Sequence, residues 1–419
     1  DLTNKKIVVG RDMRPTSPLF EEAVVAGILA EGATPVLIGM ASTPLFNFSV
    51  AHYLEHAGGI MITASHNPAE YNGFKMAFEN GLPLGKNTGM DRLRTIVETL
   101  IQEPSQSSTT PSVEYHNTLP DYYARIFSLV DPKALKPLRV VIDAGNGMAN
   151  ATFPELVKQL PISAEFLFLE PDGTFPHHEA NPLKTETLTT LQERVRATHA
   201  DLGFALDGDC DRIGLVDDQG SVVEASYVSA LVGLEVLRNN NNTGHMWYDL
   251  RSSMIVPEVW SQHGATTEKC PVGHAHIKKI LKEKGGIFAS ELSLHQYFPS
   301  MYDVESSDLS FLYILQALSR ENKPLSTLIA PFKKYVHSGE INFEVHDKDT
   351  IIKNIEAKYA PEALEISHLD GLYMKFAWGW FSVRSSNTEP VLRLNLETRT
   401  SAVLETKKNE LTNHIMSPT

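Results

Sequence analysis

Short apolar runs alternate along the chain with longer segments in which apolar residues recur at helical spacing. Lys6–Gly10 and Pro35–Gly39 have the apolar runs of buried strands, and Pro18–Glu31 between them has the spacing of a helix. Another strand-like run, Arg139–Asp143, opens a second region of the same kind. Strands and helices that alternate in this way predict repeated α/β units.

Changes in composition divide this pattern into four units. Gln102–Ser112 is rich in Ser, Thr, Pro and Gln and predicts a mobile connection, whereas the Asn239–Asn242 run predicts a loop between the second and third units. In the last unit, Val391–Leu396 alternates apolar and polar residues like a half-exposed strand. We therefore predict units over residues 1–135, 136–240, 241–337 and 338–419.

Composition excludes several classes of protein. The length of 419 residues favours roughly three domains, and no apolar run approaches the roughly 18 to 20 residues of a membrane span. The net charge of −14 disfavours nucleic acid or an anionic membrane as a partner. The first residues lack the apolar region of a secretion signal, and Cys210 and Cys270 are the only cysteines. These features favour a reduced cytoplasm as the compartment.

The hexapeptide Thr63–Pro68 (TASHNP) places a hydroxyl nucleophile, Ser65, beside the imidazole of His66. The apolar run Gly59–Ile62 before it predicts a buried strand, and Pro68 disfavours helical backbone at Asn67. Ser65 is therefore expected in a loop directly after a strand, where functional side chains often lie. A Ser-His pair alone is weak support, since most such pairs are surface turn residues.

Asp207, Asp209 and Asp211 alternate along the segment DGDCDR, and such carboxylates can converge on one Mg²⁺ or Ca²⁺ ion. A solvated acidic loop is the simpler alternative. A calcium EF-hand would need Gly and Glu where this chain has Arg212 and Asp218, and its flanks would be helices rather than apolar strands. Three clustered carboxylates without a cation would repel one another, so we predict a divalent metal site.

Three further segments carry side chains suited to phosphate or sugar binding. Arg11 and Arg14 follow the first strand and could hold a phosphate, or could simply pair with Asp12 at the surface. Lys75 lies shortly after the TASHNP segment and could face Ser65, although a solvated lysine is more common. The loop Arg384–Pro390 combines a guanidinium with short polar side chains that could wrap a phosphate.

Two histidine-containing segments in the third unit are candidates for sugar contacts. Glu291, Ser293 and His295 would share one face of an extended segment and could bind adjacent sugar hydroxyls. His274 follows Gly273 beside an apolar stretch. Either histidine could instead be a hydrogen-bonded core residue.

Taken in order, these motifs resemble the α-D-phosphohexomutase superfamily, and most of all its bacterial phosphomannomutase/phosphoglucomutase members. TASHNP is similar to the phosphoserine loop, DGDCDR to the metal loop, ELSLH to the sugar-binding loop and RSSNTEP to the phosphate-binding loop. The resemblance implies three α/β domains with mixed sheets and a C-terminal α+β domain around one central cleft. The four units would then be the phosphoserine, metal-binding, sugar-binding and phosphate-binding domains.

The resemblance also implies a role for each candidate residue. Ser65 would carry a phosphoryl group and would hold Mg²⁺ together with Asp207, Asp209 and Asp211. Lys75 and His295 would be the acid and base. The residues that would line the reacting phosphate or hold the substrate are His66, Arg212, Arg11, Arg14, Arg251, His274, Glu291, Ser293, Arg384, Ser386, Asn387 and Thr388.

The implied activity is the interconversion of hexose 1-phosphate and hexose 6-phosphate through a 1,6-bisphosphate. Mannose phosphate is the first choice of substrate and glucose phosphate the second, with glucose 1,6-bisphosphate or mannose 1,6-bisphosphate as activator. A phosphoglucosamine mutase, a non-catalytic phosphosugar-binding relative and a hydrolase of the phosphoserine are the alternatives. Sugar phosphates are the only partners implied, and the oligomeric state stays open.

Several positions depart from the family pattern. The chain starts after the position of a Tyr-Asp-Ile-Arg-Gly segment whose arginine reaches the active site in relatives, so the first unit is expected to lack that segment. Pro271 stands where relatives usually have lysine, and Ser290 replaces a glycine. Leu294 replaces a small residue in the sugar-binding loop and is expected to crowd the substrate.

Overall fold

The computed structural model of the protein describes residues 2–100, 112–385 and 391–416. Four sheets follow one another along the chain, and helices pack against each of them. The predicted connection Gln102–Ser112 lies outside the described residues except for its last position. None of the described helices combines the length and the apolar character needed to cross a membrane.

The first sheet has the strand order β4-β3-β1-β2-β5, with β4 antiparallel to β3 and the other pairs parallel. Its strands are β1 (Lys6–Arg11), β2 (Thr34–Met40), β3 (His56–Ile62), β4 (Phe74–Phe78) and β5 (Glu114–Tyr115). Its helices are α1 (Ser17–Ala30), α2 (Thr43–His52), α3 (Asp91–Leu100) and α4 (Leu119–Leu129). The predicted β1, α1 and β2 are confirmed to within one residue at each end, because their apolar spacing is a local signal.

The second sheet has the order β10-β9-β8-β6-β7. Its strands are β6 (Arg139–Asp143), β7 (Ser163–Leu167), β8 (Leu202–Leu206), β9 (Ile213–Val216) and β10 (Val222–Val223), with helices α5 (Phe153–Val157) and α6 (Thr189–Thr198). Strands β8 and β9 are antiparallel and buried along their whole length. The segment that joins them is therefore held at both ends by the core of the sheet.

The third sheet has the order β12-β11-β13-β14-β15. Its strands are β11 (Gly244–Asp249), β12 (Ala265–Cys270), β13 (Phe288–Ser290), β14 (Gln296–Phe298) and β15 (Val304–Glu305). Its helices are α7 (Ala225–Asn239), α8 (Ile255–Gln262), α9 (His274–Lys284), α10 (Ser307–Glu321) and α11 (Leu325–Ile329). Helix α7 packs mainly against α8 and α10, so it lies with this sheet although it precedes the boundary predicted at residue 241.

The C-terminal unit is an antiparallel sheet with two helices on one face. Its strands are β16 (Val336–His337), β17 (Ile341–Glu344), β18 (Glu365–Ser367), β19 (Leu372–Phe376), β20 (Gly379–Ser385) and β21 (Val391–Thr398), and its helices are α12 (Lys348–Tyr359) and α13 (Ser401–Met416). Strand β21 pairs with β16, β17 and β20. The prediction that Val391–Leu396 is half exposed is wrong, because Asn395 is as buried as the leucines and Arg393 is only partly exposed.

Apolar packing separates the C-terminal unit from the other three. One hydrophobic cluster runs continuously from Ala41 in the first unit to Phe332 in the third. The C-terminal unit has its own cluster, which contains Phe343, Leu394 and Ile415. The predicted fold class is thereby confirmed as three α/β units with mixed sheets and a C-terminal α+β unit, while the exact unit boundaries stay a prediction.

Candidate active site

The serine loop, residues 63–73, connects β3 to the antiparallel strand β4. Ser65 has a φ of 52°, in the left-handed region that residues with a side chain rarely adopt. Its Oγ lies 3.2 Å from Nδ1 of His66 and 3.4 Å from Oδ2 of Asp207. An uncommon backbone conformation therefore aims the hydroxyl at the acidic segment of the second unit.

Arg14 holds this loop in place from within the first unit. Its side chain is buried, and its Nε lies 3.1 Å from Oδ2 of Asp12. The guanidinium donates hydrogen bonds of 2.6–2.9 Å to four backbone carbonyls of the loop, those of Ser65, Asn67, Pro68 and Tyr71. The prediction that Arg14 binds substrate needs correction, because its donors are already used by the backbone.

Arg11 is also engaged within the first unit. Its Nε lies 3.1 Å from Oε2 of Glu21, and its Nη1 donates a hydrogen bond to the carbonyl of Asp12. The side chains of Arg11 and Glu21 are each about a quarter exposed. The structure thus gives Arg11 a partner of its own and does not bring it to Ser65.

The acidic loop, residues 207–212, is the turn between β8 and β9. Asp207, Asp209 and Asp211 are all buried, and their ligand oxygens lie within 4.8 Å of one another. Asp207 Oδ1 accepts hydrogen bonds from the backbone N–H groups of Asp211 and Arg212, at 3.0 and 3.1 Å. The structure therefore brings together the three carboxylates that the sequence singled out.

The electrostatics of the acidic loop favour a cation. Burial, together with the carboxylates of Asp211 and Asp209, raises the pKa of Asp207 well above its ordinary range. Oδ1 of Asp209 is buried and has no hydrogen-bond partner among the described residues. Oxygen ligands on three converging carboxylates suit Mg²⁺, and the unpartnered oxygen is a free ligand atom.

Lys75 on β4 points into this acidic cluster. Its Nζ lies 2.6 Å from Oδ2 of Asp209 and 2.6 Å from Oδ2 of Asp211. Burial acts to lower the pKa of Lys75, but the two carboxylates outweigh it and raise this pKa. Thr43 donates a further hydrogen bond to Asp209, a contact that no motif had indicated. Lys75 is thus an ion-paired ammonium beside the cluster rather than a solvated surface lysine.

His295 and Arg212 join the acidic loop to the third unit. Arg212 Nε lies 3.2 Å from His295 Nε2 and 3.5 Å from Asp207 Oδ2. His295 Nε2 also lies 3.4 Å from Oδ1 of Asp211. Burial acts to lower the pKa of His295, but Asp211 outweighs it and raises the pKa to about 9. By contrast, burial and the charge of Arg212 lower the pKa of His66 to about 4, so this imidazole is neutral at pH 7.

The sugar-binding loop is a tight turn between β13 and β14, which corrects the expectation of an extended segment. Glu291 N–H donates to the carbonyl of His295, Leu294 N–H donates to that of Glu291, and Leu294 has a φ of 72°. Glu291, Ser293 and His295 nevertheless meet, since Nδ1 of His295 lies 3.3 Å from Glu291 Oε2 and 2.9 Å from Ser293 Oγ. Leu294 is buried in the hydrophobic core, so it does not crowd this site.

His274 begins helix α9 and is exposed. It lines a cavity of about 450 Å³ together with Lys75, Lys278 and Glu305. Lys278 and Glu305 form a buried ion pair of 2.6 Å that no sequence motif indicated. Gly273 N–H donates to Oε1 of Glu291, so the His274 segment and the sugar-binding loop are tied together.

The distal arginine cluster consists of Arg251, Arg384, Arg393 and Glu340. Arg251 follows β11 and is anchored on Asp249, with Nη2 2.6 Å from Oδ2. Arg384 and Arg393 face each other across β20 and β21. No role in the site was predicted for Glu340 or Arg393, although Arg393 is a polar position in the alternating pattern of β21. Ser386, Asn387 and Thr388, predicted to bind phosphate, lie outside the described residues.

Comparison with known proteins gives a match for each unit. The models for phosphoglucomutase/phosphomannomutase match in order: alpha/beta/alpha domain I at residues 2–103, domain II at 115–220, domain III at 225–335 and the C-terminal domain at 340–414. The phosphomannomutase of Methanocaldococcus jannaschii is 37% identical over 417 residues, which cover 98% of this chain and 90% of that protein. These matches confirm the resemblance inferred from the motifs.

Solved structures agree with the sequence matches. A phosphoglucomutase/phosphomannomutase family protein from Burkholderia thailandensis superposes with a TM-score of 0.88 at 28% identity, covering 99% of this chain and 90% of that one. The N-acetylphosphoglucosamine mutase of Aspergillus fumigatus, solved with GlcNAc-6P and magnesium, has a TM-score of 0.61 at 14% identity, covering 89% of this chain and 91% of that one. The second likeness concerns the fold alone.

Proposed function

We propose the substrates and residue roles of this site from the premise that the chain belongs to the phosphoglucomutase/phosphomannomutase family. The chain is a phosphohexomutase, an isomerase. Its proposed reaction interconverts hexose 1-phosphate and hexose 6-phosphate, with mannose as the first choice of sugar and glucose as the second. Phosphorylated Ser65 and a bound hexose 1,6-bisphosphate are the proposed intermediates.

One observation carries this proposal. The Ser65 hydroxyl, 3.4 Å from Asp207, reaches the edge of a buried three-carboxylate cluster that belongs to a different unit of the chain. A serine activated beside a neutral imidazole and a cation site is suited to accept and return a phosphoryl group. Arg14 supports the same role, because it fixes the backbone on which the nucleophile stands.

The proposed transfer exchanges one oxygen–phosphorus bond for another. A free hydroxyl oxygen of the hexose phosphate bonds to phosphorus as the bond from phosphorus to Ser65 Oγ breaks. Of Lys75 and His295, one accepts the proton of that hydroxyl and the other donates a proton to the Ser65 oxygen. Arg212 offers positive charge to the reacting phosphate.

Asp207, Asp209 and Asp211, with an oxygen on Ser65, are proposed to hold Mg²⁺. The ion would supply positive charge against the phosphoryl group during transfer. The fit of the residues is supported by the unpartnered Oδ1 of Asp209 and by the acceptor-only chemistry of the cluster. A hexose 1,6-bisphosphate is the proposed activator, since it can phosphorylate Ser65.

The remaining residues are proposed to orient the substrate. Glu291 and Ser293 would bind sugar hydroxyls in the cavity of about 470 Å³ that Ser293 and Arg251 help to line. The non-reacting phosphate would be held by Arg384 and Arg251, with Ser386, Asn387 and Thr388 as further proposed partners. His274 would contribute from the neighbouring cavity of about 450 Å³.

The residues of the two substrate loops favour mannose or glucose over glucosamine. Glu291 is followed by Leu292 where phosphoglucosamine mutases usually have Gln, and the phosphate loop reads Ser386-Asn387-Thr388 rather than Ser-Gly-Thr. Among the solved structures, the N-acetylphosphoglucosamine mutase is a distant relative at 14% identity. Phosphoglucosamine therefore ranks third among the proposed substrates.

A ³¹P NMR time course tests this function. Mannose 1-phosphate and glucose 1-phosphate would be incubated separately with protein, Mg²⁺ and a trace of glucose 1,6-bisphosphate. We expect conversion to the 6-phosphate, faster with mannose, and loss of turnover when EDTA removes the metal. Ser65→Ala is expected to lower turnover by about a thousandfold or more, because the variant lacks the hydroxyl that is proposed to carry the phosphoryl group.

Ser128→Ala is the matched control, since Ser128 is exposed on α4 and far from Ser65 in the chain. Full turnover by Ser65→Ala would reject the phosphoserine mechanism. Saturable sugar-phosphate binding without any conversion by the wild type would establish the binding-only alternative instead. Inorganic phosphate that appears as fast as substrate disappears would identify a hydrolase.

A further inference from the structure

Glu340 lies at the centre of the distal arginine cluster. Its Oε2 is 3.1 Å from Nη2 of Arg384 and 3.7 Å from Nη1 of Arg251. Its Oε1 is 3.2 Å from Nη1 of Arg393. One carboxylate is therefore shared by three guanidinium groups, an arrangement of charge that a phosphate group would also satisfy.

The position of Glu340 is set by the turn before β17. Gly339 has a φ of 69°, which favours glycine, and its N–H donates to Nδ1 of His337. This turn places the Glu340 side chain against the cavity of about 470 Å³ that Arg251 and Ser293 also line. The carboxylate thus lies on the wall of the proposed substrate cavity, with 26% of its side chain exposed.

Two of these arginines do not depend on Glu340 alone. Arg251 has a second carboxylate partner, and Arg384 has a donor that Glu340 does not use. Arg251 is held by Asp249 through Nε and Nη2, which leaves Nη1 directed at Glu340. The side chain of Arg384 is only 6% exposed, and its buried Nε has no hydrogen-bond partner among the described residues. A buried guanidinium with an unused donor beside an accessible carboxylate is a site with capacity for a second anion.

Glu340 is ionised in this surrounding. Burial acts to raise its pKa, but Arg251, Arg384 and Arg393 outweigh burial and hold the pKa below its ordinary value. An ionised Glu340 competes with any incoming anion for the same guanidinium donors.

We propose that Glu340 is a displaceable counter-ion that occupies the place of the non-reacting phosphate of the hexose phosphate. This inference rests on the proposed function and deepens it. The substrate phosphate displaces the carboxylate from the arginines, and the carboxylate returns when that phosphate leaves. The bisphosphate can then release its distal phosphate and turn, because Glu340 restores the negative charge that the cluster loses with that phosphate.

Binding of inorganic phosphate at constant ionic strength, measured by calorimetry, tests this proposal. Glu340→Gln removes the competing charge and is expected to tighten phosphate binding about fivefold. Arg393→Gln removes one ligand and is expected to weaken binding by a similar factor of about five. Glu344→Gln, at an exposed position at the end of β17, makes the same change in net charge and should leave phosphate binding unchanged.

Unchanged or weaker phosphate binding by Glu340→Gln would overturn the proposal and would make Glu340 an organiser of the arginines. Glu340→Ser repeats the test with a side chain too short to bridge them. The measurement requires no turnover, so it is separate from the function test. If the wild type has no mutase activity but Glu340→Gln binds phosphate more tightly, the proposed function is rejected and the counter-ion role of Glu340 is retained. An active wild type with unchanged binding in that variant would reject only the counter-ion.

Discussion

The reaction centre, formed by the serine loop and the acidic loop, and the distal arginine cluster hold their charges in opposite ways. At the reaction centre, Asp207 and Asp209 are fully buried, and Arg14 holds the serine loop through backbone carbonyls. In the distal cluster, side chains from separate segments meet through one carboxylate, Glu340, that solvent can reach. The first region belongs to the continuous core of three units, whereas much of the second belongs to a unit with its own core.

This difference matches the demands of the proposed reaction. Phosphoryl transfer needs the nucleophile within a few tenths of an ångström of its place, which backbone contacts and burial provide. The distal site must accept the phosphate of either isomer and let it go again, and side-chain ion pairs near solvent exchange more easily. The two regions therefore differ in burial and in the contacts that hold their charges, as the different tasks of the proposed reaction require.

The largest effect is expected from removing Arg14, whose hydrogen bonds to the carbonyls of the serine loop form a backbone clamp at the reaction centre. Arg14→Ala leaves four backbone carbonyls without this donor and the buried Asp12 without its charged partner, and it is expected to cost about 3–5 kcal/mol of stability, with loss of turnover. Denaturant unfolding and the mutase assay would measure both. Arg11→Ala is the control, because its partly exposed pair with Glu21 should cost under about 1 kcal/mol. Equal losses in the two variants would contradict the clamp.

An intermediate effect concerns the polar face of the C-terminal sheet, on which Arg384 and Arg393 also stand. Glu397 accepts hydrogen bonds from Met254 N–H and from the Trp380 indole, at 2.9 and 3.0 Å. Burial raises its pKa from 4.5 to about 7. The folded protein thus binds this proton more tightly than the unfolded chain does, and the resulting stabilisation is complete below pH 4.5 and is lost as the pH rises through about 7.

Unfolding midpoints of the wild type and Glu397→Gln across this pH range would measure that loss. We expect the wild type to lose up to about 3 kcal/mol relative to the variant, which cannot titrate at this position. Such a loss would show that the contact between Glu397 of the C-terminal unit and Met254 of the third unit depends on pH. Parallel pH profiles of the two proteins would show that Glu397 does not titrate in this range.

The smallest expected effect concerns substrate affinity at the distal cluster. Arg384→Gln is expected to raise KM for mannose 1-phosphate about tenfold with little change in kcat, because it removes binding shared by ground and transition states. Steady-state kinetics would measure the two constants separately. Arg399→Gln serves as the control, since Arg399 is exposed and lies over the ring of Tyr335. A fall in kcat of similar size would instead place Arg384 in the chemical step.

Contiguous features of this protein could be predicted from its sequence. Strands β1, β2 and β6 and helix α1 follow from local apolar spacing, which does not depend on distant parts of the chain. The candidate residues Ser65, Asp207 and His295 stood out for the same reason, since each lies in a short polar segment next to an apolar strand. Their meeting at one point, however, required the first three units to pack together.

What only the tertiary structure decided is which polar groups are buried and what they contact. Arg14 and Arg384 were both predicted to hold a phosphate, yet Arg14 binds backbone carbonyls and Arg384 contacts Glu340. Alternation along β21 predicts a face but does not distinguish solvent from the surface of another unit, and Glu397 meets the latter. Leu294 is likewise buried by contacts with distant segments, in the hydrophobic cluster that runs through the first three units. Periodicity determines the elements, whereas contacts between distant segments determine the partners of each charge and therefore the site.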